Sequence, residues 1–323
     1  MSIEPVGRVP KVEPRPRAQA LMTLILLATI AVTAFLAIPA TMAKAAVSGH
    51  ISATWNMDGS NDQKWSDVSK AAMAVEMICL QETGTPPQGA TFTKRSWSIP
   101  AVRPGKNTPK YWTVSEYQWS AGGGTRYIYY LPMPAPDETR NSMAIVSMEP
   151  VENNAVVIIN PQPWRNGTVD DSARPAFGIQ LPSDKSFWWT WHAGSGASGG
   201  QANDAANMAT TIAATMNAAR VGSWTINADF NRDMLNKNSG FTNPPLPAGV
   251  RTVTPGNSIT RPNPISGGTQ LDFMITNDTG ALRAQTTGVF SDHFMVVFGT
   301  PVTTPAAVRA GKAMSSVQEH AVR

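Results

Sequence analysis

The chain has 323 residues, 42% hydrophobic and 15% charged, so it can bury a substantial core and is not a disordered polymer. Lys and Arg total 26 against 22 Asp and Glu, a formal +4. Residues 1–45 hold +3 of that and the remainder only +1, so any affinity for a polyanion must come from a local patch rather than bulk charge. The single cysteine, Cys79, excludes an intramolecular disulfide, and no zinc-type Cys/His spacing occurs.

Residues 1–20 are basic and Pro-rich, 21–38 form an uncharged apolar run, and Ala43-Lys-Ala45 is a small-x-small pattern. This describes a signal peptide cut near Ala45, or, with a run near the shortest spanning length, an uncleaved signal anchor. Both readings export the domain. One domain is expected over 48–299, because no internal stretch has linker composition.

Within it, 50–56 alternates like a first strand, and 62–74 reads as a helix with Trp65, Val68 and Ala72 at helical spacing. Residues 77–82 read as a buried strand ending in the carboxylate of Glu82, with Cys79 a small buried hydrophobe. The prolines of 83–120 predict loop. Strands are expected at 127–130, 143–147 and 156–159, the last two read as a hairpin across a polar turn. Residues 176–180 and 187–192 form the next strand pair. Residues 203–220 read as a helix with Asp204 as cap and Gly222 as stop. Trp224-Thr-Ile begins a buried strand that runs to Asp229. Residues 236–268 are loop in composition, 271–276 and 294–298 are the last clear strands, and 300–323 is a mobile tail. Many strands with few helices predict an α/β or α+β sandwich of two sheets.

The polar residues at strand ends carry the chemistry. Asp229 and Asn231 share a side if the strand runs on, or else form a turn. Asp272 interrupts an apolar strand, an expensive place for a carboxylate without a partner, and His293 is the natural one. Glu82, with Asn56 and Asp292, offers the hard oxygen donors that suit Mg2+. A cation beside His192 and His293 suits phosphoester hydrolysis, with Arg174 and Arg140 as phosphate clamps. The glycine-rich 194–200 loop lacks the Gly-Lys-Ser/Thr ending of a nucleotide-binding loop, so no nucleotide cofactor is expected. His50 reads as structural.

The ordered set Thr54-Trp-Asn56, Gln81-Glu82, Arg126-Tyr-Ile-Tyr-Tyr130, Arg174-Pro175, His192-Ala193, Ala228-Asp-Phe-Asn-Arg232, Ser266-Gly-Gly-Thr-Gln-Leu-Asp272 and Ser291-Asp-His-Phe294 resembles the endonuclease/exonuclease/phosphatase superfamily. More closely, the chain looks like the B subunits of cytolethal distending toxins. The resemblance implies a deoxyribonuclease-like four-layer sandwich, with two packed β-sheets flanked by helices and the site at one sheet edge. It implies metal-dependent cleavage of DNA phosphodiesters, with phosphoinositide lipid as an alternative substrate and delivery subunits as partners. It makes Glu82 a metal ligand with Asn56 nearby and Asp292 on the metal side. Asp229 aligns the attacking water, Asn231 steadies the phosphate, and His192 and His293 are the paired acid/base and charge-stabilising histidines. Asp272 orients His293, and Arg174 and Arg140 match phosphate-contacting positions. One departure stands at Gly124-Thr125, where the deoxyribonucleases carry a glutamate that supports the first histidine. A non-catalytic binding module of the same fold is the reading from a different class.

Overall fold

A computed structural model describes residues 46–59, 61–101, 111–134, 140–162, 173–194, 204–236, 245–263, 265 and 267–299. The leader, most of the 194–200 loop and the 300–323 tail lie outside the described residues. In chain order the elements are β1 (Ser52–Asn56), α1 (Asp62–Ala71), β2 (Met77–Gln81), β3 (Thr91–Pro100), β4 (Tyr111–Ala121), β5 (Gly124–Leu131), β6 (Met143–Ser147) and β7 (Val156–Ile159). They continue with β8 (Ala176–Gln180), β9 (Phe187–His192), α2 (Asp204–Ala218), β10 (Trp224–Asp229), β11 (Arg251–Val253), β12 (Asp272–Thr276), β13 (Arg283–Phe290) and β14 (Phe294–Gly299).

The strands form two mixed sheets. One has the order β13-β14-β1-β2-β6-β5-β4-β3, the other β11-β12-β10-β9-β8-β7. Each contains one parallel pair joined through a helix: β1-α1-β2 in the first and β9-α2-β10 in the second. A parallel pair needs such a crossover, and the crossover brings both strands to the same end of the sheet. Asn61 starts α1, its side chain accepting from the Lys64 N–H at 2.8 Å. Trp65, Val68 and Ala71 of α1 bury against Ala53, Trp55, Ile78 and Leu80 on the outer face of the first sheet. Between the sheets, Met77, Cys79, Tyr129, Val296 and Phe298 meet Phe177, Ile179, Trp188 and Met274. Cys79 is fully buried, and burial pushes its thiol up, which keeps it unreactive.

Where the four central strands face each other the seam is polar. Gln81 accepts from Thr54 (3.2 Å) and donates to Thr190 (3.0 Å) and to the Asn227 carbonyl (3.3 Å), while Asn227 donates to Ser52 (3.1 Å). These groups satisfy one another, which makes their burial tolerable and fixes how the sheets meet. The seam runs along β1, β2, β9 and β10 toward their C-terminal ends.

Two expectations are corrected. The strands at 143–147 and 156–159 are not a hairpin: β6 pairs with β2 and β5, whereas β7 pairs with β8 in the other sheet. Both runs are apolar, the first buried and the second half-buried, and such runs do not encode their partners. The 83–120 stretch holds the long antiparallel pair β3–β4 rather than loop alone, with Pro86 and Pro87 ahead of β3 and Pro100 at its end. The helices end close to expectation, α1 at Ala71 and α2 at Ala218.

Opposite the site end, His50 ties the sheets together. Its Nδ1 lies 2.5 Å from Glu76 and its Nε2 2.9 Å from Asp184, so both ring nitrogens donate and the ring is an imidazolium. Burial works against that charge, but the two carboxylates outweigh it and lift the pKa from 6.5 to about 9. A raised folded-state pKa stabilises fully below the unfolded value of 6.5, and the contribution is lost as pH rises through 9. His50→Gln is therefore expected to cost on the order of 2 kcal/mol at pH 6, discounted for the partly exposed carboxylates. The gap should close above pH 9, as read from urea midpoints of the two proteins across that range.

Candidate active site

Three adjacent strands of the second sheet present one row of polar side chains. Asp229, the last residue of β10, is the register partner of His192 on β9 and of Asp272 on β12. Residues in register on neighbouring strands project to the same face, so the row is fixed by backbone pairing alone. The first sheet supplies the opposing groups from the same end of the sandwich: Asn56 closes β1, Glu82 follows β2, and His293 immediately precedes β14. The Trp55 indole N–H holds the His293 carbonyl at 3.0 Å.

Asn56, His192 and His293 converge on one atom. Asp229 Oδ2 accepts from Asn56 Nδ2 at 2.9 Å and faces His192 Nε2 at 3.5 Å and His293 Nε2 at 3.9 Å. His293 Nδ1 is bonded to Asp272 Oδ2 at 2.7 Å, the pairing expected from the sequence. His192, Asp229, Asp272 and His293 are each no more than 2% exposed. Asp229 Oδ1 accepts the Asn231 N–H at 2.8 Å, and Asn231 Nδ2 donates to the Ala193 carbonyl. The strand does not run on: Asn231 sits at φ +46 in a turn, a left-handed conformation that asparagine tolerates.

The two histidines are driven to opposite charge states. Burial opposes protonation of His293, but Asp272, Asp229 and Asp292 outweigh it and raise its pKa to about 10. Burial, together with the cations Arg174, His293, Arg140 and Arg261, holds His192 well below the usual histidine range. His192 Nδ1 is buried with no hydrogen-bond partner among the described residues, and Gly124-Thr125 cannot supply one, because the β5 register puts them at the opposite end of the sheet, beyond the Tyr127–Ser147–Met77 level. A lone pair there costs less than a stranded N–H, so the neutral ring carries its proton on Nε2, toward Asp229 and Glu82. Burial and Asp272 push the Asp229 carboxyl up, against the pull of His293, Asn56 and the Asn231 N–H.

The arginines ring this centre. Arg140 bridges Glu82 (3.0 Å) and Asp58 (2.5 Å) and is 64% exposed on its side chain. Arg174 donates to Asn141 (2.8 Å) and the Ala193 carbonyl (3.1 Å), strapping the end of β9. Asp292 contacts Arg261 (3.6 Å) and His293 Nε2 (3.9 Å). Sequence reading missed Asp58, Asn141 and Arg261; the first two lie beside residues it did single out, and Arg261 was hidden in loop composition. Asp204 does more than cap α2. Buried, it accepts from the Gly194 N–H and from Arg232, both at 2.7 Å, and so pins the chain after His192.

Asp229, Asp272 and His293 offer ligand-type atoms within 4.8 Å of one another. That cluster is fully buried, and His293 Nδ1 is committed to Asp272, so it suits a proton relay better than an ion that keeps its waters. The donors that fit Mg2+ stand at the rim. Glu82 holds a strained φ of +49, and its carboxylate lies 3.7 Å from His192 Nε2 with the Arg140 cation already drawn to it. Asn56 stands beside it across Asp229.

The two packed sheets have the deoxyribonuclease-like fold of the endonuclease/exonuclease/phosphatase proteins. An endonuclease/exonuclease/phosphatase family protein from Leptotrichia buccalis C-1013-b shares that fold over 79% of this chain and 100% of its own, at 13% identity and a TM-score of 0.52. More specifically, the chain is similar to the cytolethal distending toxin of Haemophilus ducreyi: 26% identity, 78% of this chain, 98% of that one and a TM-score of 0.60. The biologically active subunit of cytolethal distending toxin matches at 22% identity over 77% of this chain and 97% of its own, with a TM-score of 0.58. No protein-family model and no curated protein sequence matches.

Proposed function

We propose that the protein is an exported, toxin-type, Mg2+-dependent endonuclease that hydrolyses phosphodiester bonds in DNA. The observation that carries this reading is the meeting of His192, His293 and Asn56 around one buried oxygen of Asp229. A bound Mg2+ would be held by Glu82 with Asn56, and by Asp292 from the His293 side, and would supply Lewis-acid polarisation of a phosphoryl oxygen. The chain's own residues do the rest. Asp229, a carboxylate with a raised pKa, aligns a water and takes its proton. His293, charged at neutral pH and held by Asp272, donates toward the departing oxygen and offsets charge on the phosphorane. Neutral His192 donates through Nε2, and Asn231 fixes the turn that keeps Asp229 aimed. Arg140 and Arg174 stand where they can turn to phosphate oxygens. Export rests on the apolar run and small-x-small pattern of the leader, and delivery by partner subunits belongs to the same proposal.

The test uses purified protein without the leader on supercoiled plasmid. Nicking is expected with Mg2+ and not with excess chelator. Faster turnover of a soluble phosphoinositide than of plasmid would move the assignment to a lipid phosphatase working through the same residues. Turnover of neither would leave a binding module.

A further inference from the structure

Beside His293 lies a built feature that the chemistry above does not use. Thr260 is fully buried; its Oγ1 accepts the N–H groups of Leu271 (2.8 Å) and Asp272 (3.0 Å), and its carbonyl accepts the Phe294 N–H (2.7 Å). One residue thus staples the preceding loop to both strands that carry the His293–Asp272 pair. Arg261 comes next, and its backbone pairs with Thr269 in both directions, at 3.0 and 2.9 Å. Gly268 closes this narrow hairpin at φ +103, where a Cβ would lie 2.7 Å from the Arg261 carbonyl oxygen. The Arg261 backbone is therefore fixed relative to the catalytic pair.

Its guanidinium is not committed. Arg140 and Arg174 both donate hydrogen bonds, but Arg261 makes none to a described residue; its one ion pair is with Asp292 at 3.6 Å, longer than a hydrogen bond. Arg261, Pro262, Asn263, Thr269 and Asp292 line a cavity of about 280 Å³. The same Asp292 faces His293 Nε2 at 3.9 Å, so the cavity adjoins the reacting centre through one shared carboxylate.

We propose that Arg261 and this cavity form a second phosphate subsite, which takes the phosphate next to the scissile one in a polynucleotide strand. This rests on the phosphodiesterase reading and deepens it to a substrate class. A group that must lie off the reacting phosphorus and still be anionic is what a chain of repeated phosphates supplies. The guanidinium fork matches phosphate bidentately, and a long, half-exposed pair with Asp292 is weak enough to yield to it.

Arg261→Gln and wild type are compared, with Mg2+, on plasmid DNA and on bis(4-nitrophenyl) phosphate, a diester with no neighbouring phosphate. Arg261→Gln is expected to lose about tenfold in kcat/KM on DNA, the usual worth of a charge-assisted contact, with a loss on the small diester at least about fivefold less. The slope of log rate against log salt on DNA should become shallower by roughly one, for one phosphate contact removed. Equal losses on both substrates, or an unchanged salt slope, overturn the subsite while leaving the hydrolase intact. If wild type cuts DNA but not the small diester, the salt slope alone decides. If wild type cuts neither, the phosphodiesterase reading fails and the subsite falls with it.

Discussion

His293→Ala is expected to nick plasmid about 10²–10⁴-fold more slowly than wild type, the range a positioned general acid supplies. The effect is large because the imidazolium has no substitute. Asp272 is fully buried and bonded to His293 Nδ1, and its other oxygen has no partner among the described residues. Removing the ring therefore deletes the proton donor and strands a buried carboxylate as well. His192→Ala should cost a comparable factor for another reason: it removes the Nε2 group that faces both Asp229 and Glu82. Since either change opens a cavity, His293→Gln and melting temperatures accompany the rates. Normal folding with full activity in either histidine variant would sink the assignment.

Asp229→Asn should lose activity on the same scale, about 10²–10⁴-fold, because a carboxamide cannot take a proton from water. The shape is preserved, but the donors engage different oxygens, Asn56 at Oδ2 and the Asn231 N–H at Oδ1, so the single amide oxygen can keep only one of them and the variant's melting temperature is measured alongside its rate. Charge is what changes. With one of its three nearby carboxylates gone, His293 should lose part of what holds its pKa at about 10, so residual activity should fall off at lower pH than in wild type. A pH–rate profile separates this from loss of fold: a displaced alkaline limb marks the electrostatic effect, and unfolding would abolish the profile altogether.

Much of the fold was legible because its central strands announce themselves. Trp224-Thr-Ile and the aromatic run before His192 have strong strand chemistry, and both α1 and α2 show their apolar spacing. The pairing of β6 and β7 was not legible, since partner choice is decided by chain crossing between sheets rather than by local pattern. The β3–β4 pair was obscured by prolines that fall ahead of β3 and at its end, and β13 by its mixed, half-exposed composition. At the site, a carboxylate within an apolar strand pointed to a partner for Asp272. The row His192–Asp229–Asp272 was reachable only through the family resemblance, because register between strands leaves no mark in either strand's own sequence. Arg261 was lost because loop composition conceals a hairpin that only Thr260 and Gly268 make rigid.

Two histidines, one charged and one neutral, face one buried carboxylate. The direct measurement is an NMR pH titration of the imidazole signals in the folded, metal-free protein, assigned with single histidine variants. The expected result is that His293 stays protonated through neutral pH and titrates near 10, while His192 remains neutral down to well below 6.5. If both rings titrate together near 6.5, like histidines free in water, they do not share the Asp229 site and the proposed chemistry is contradicted.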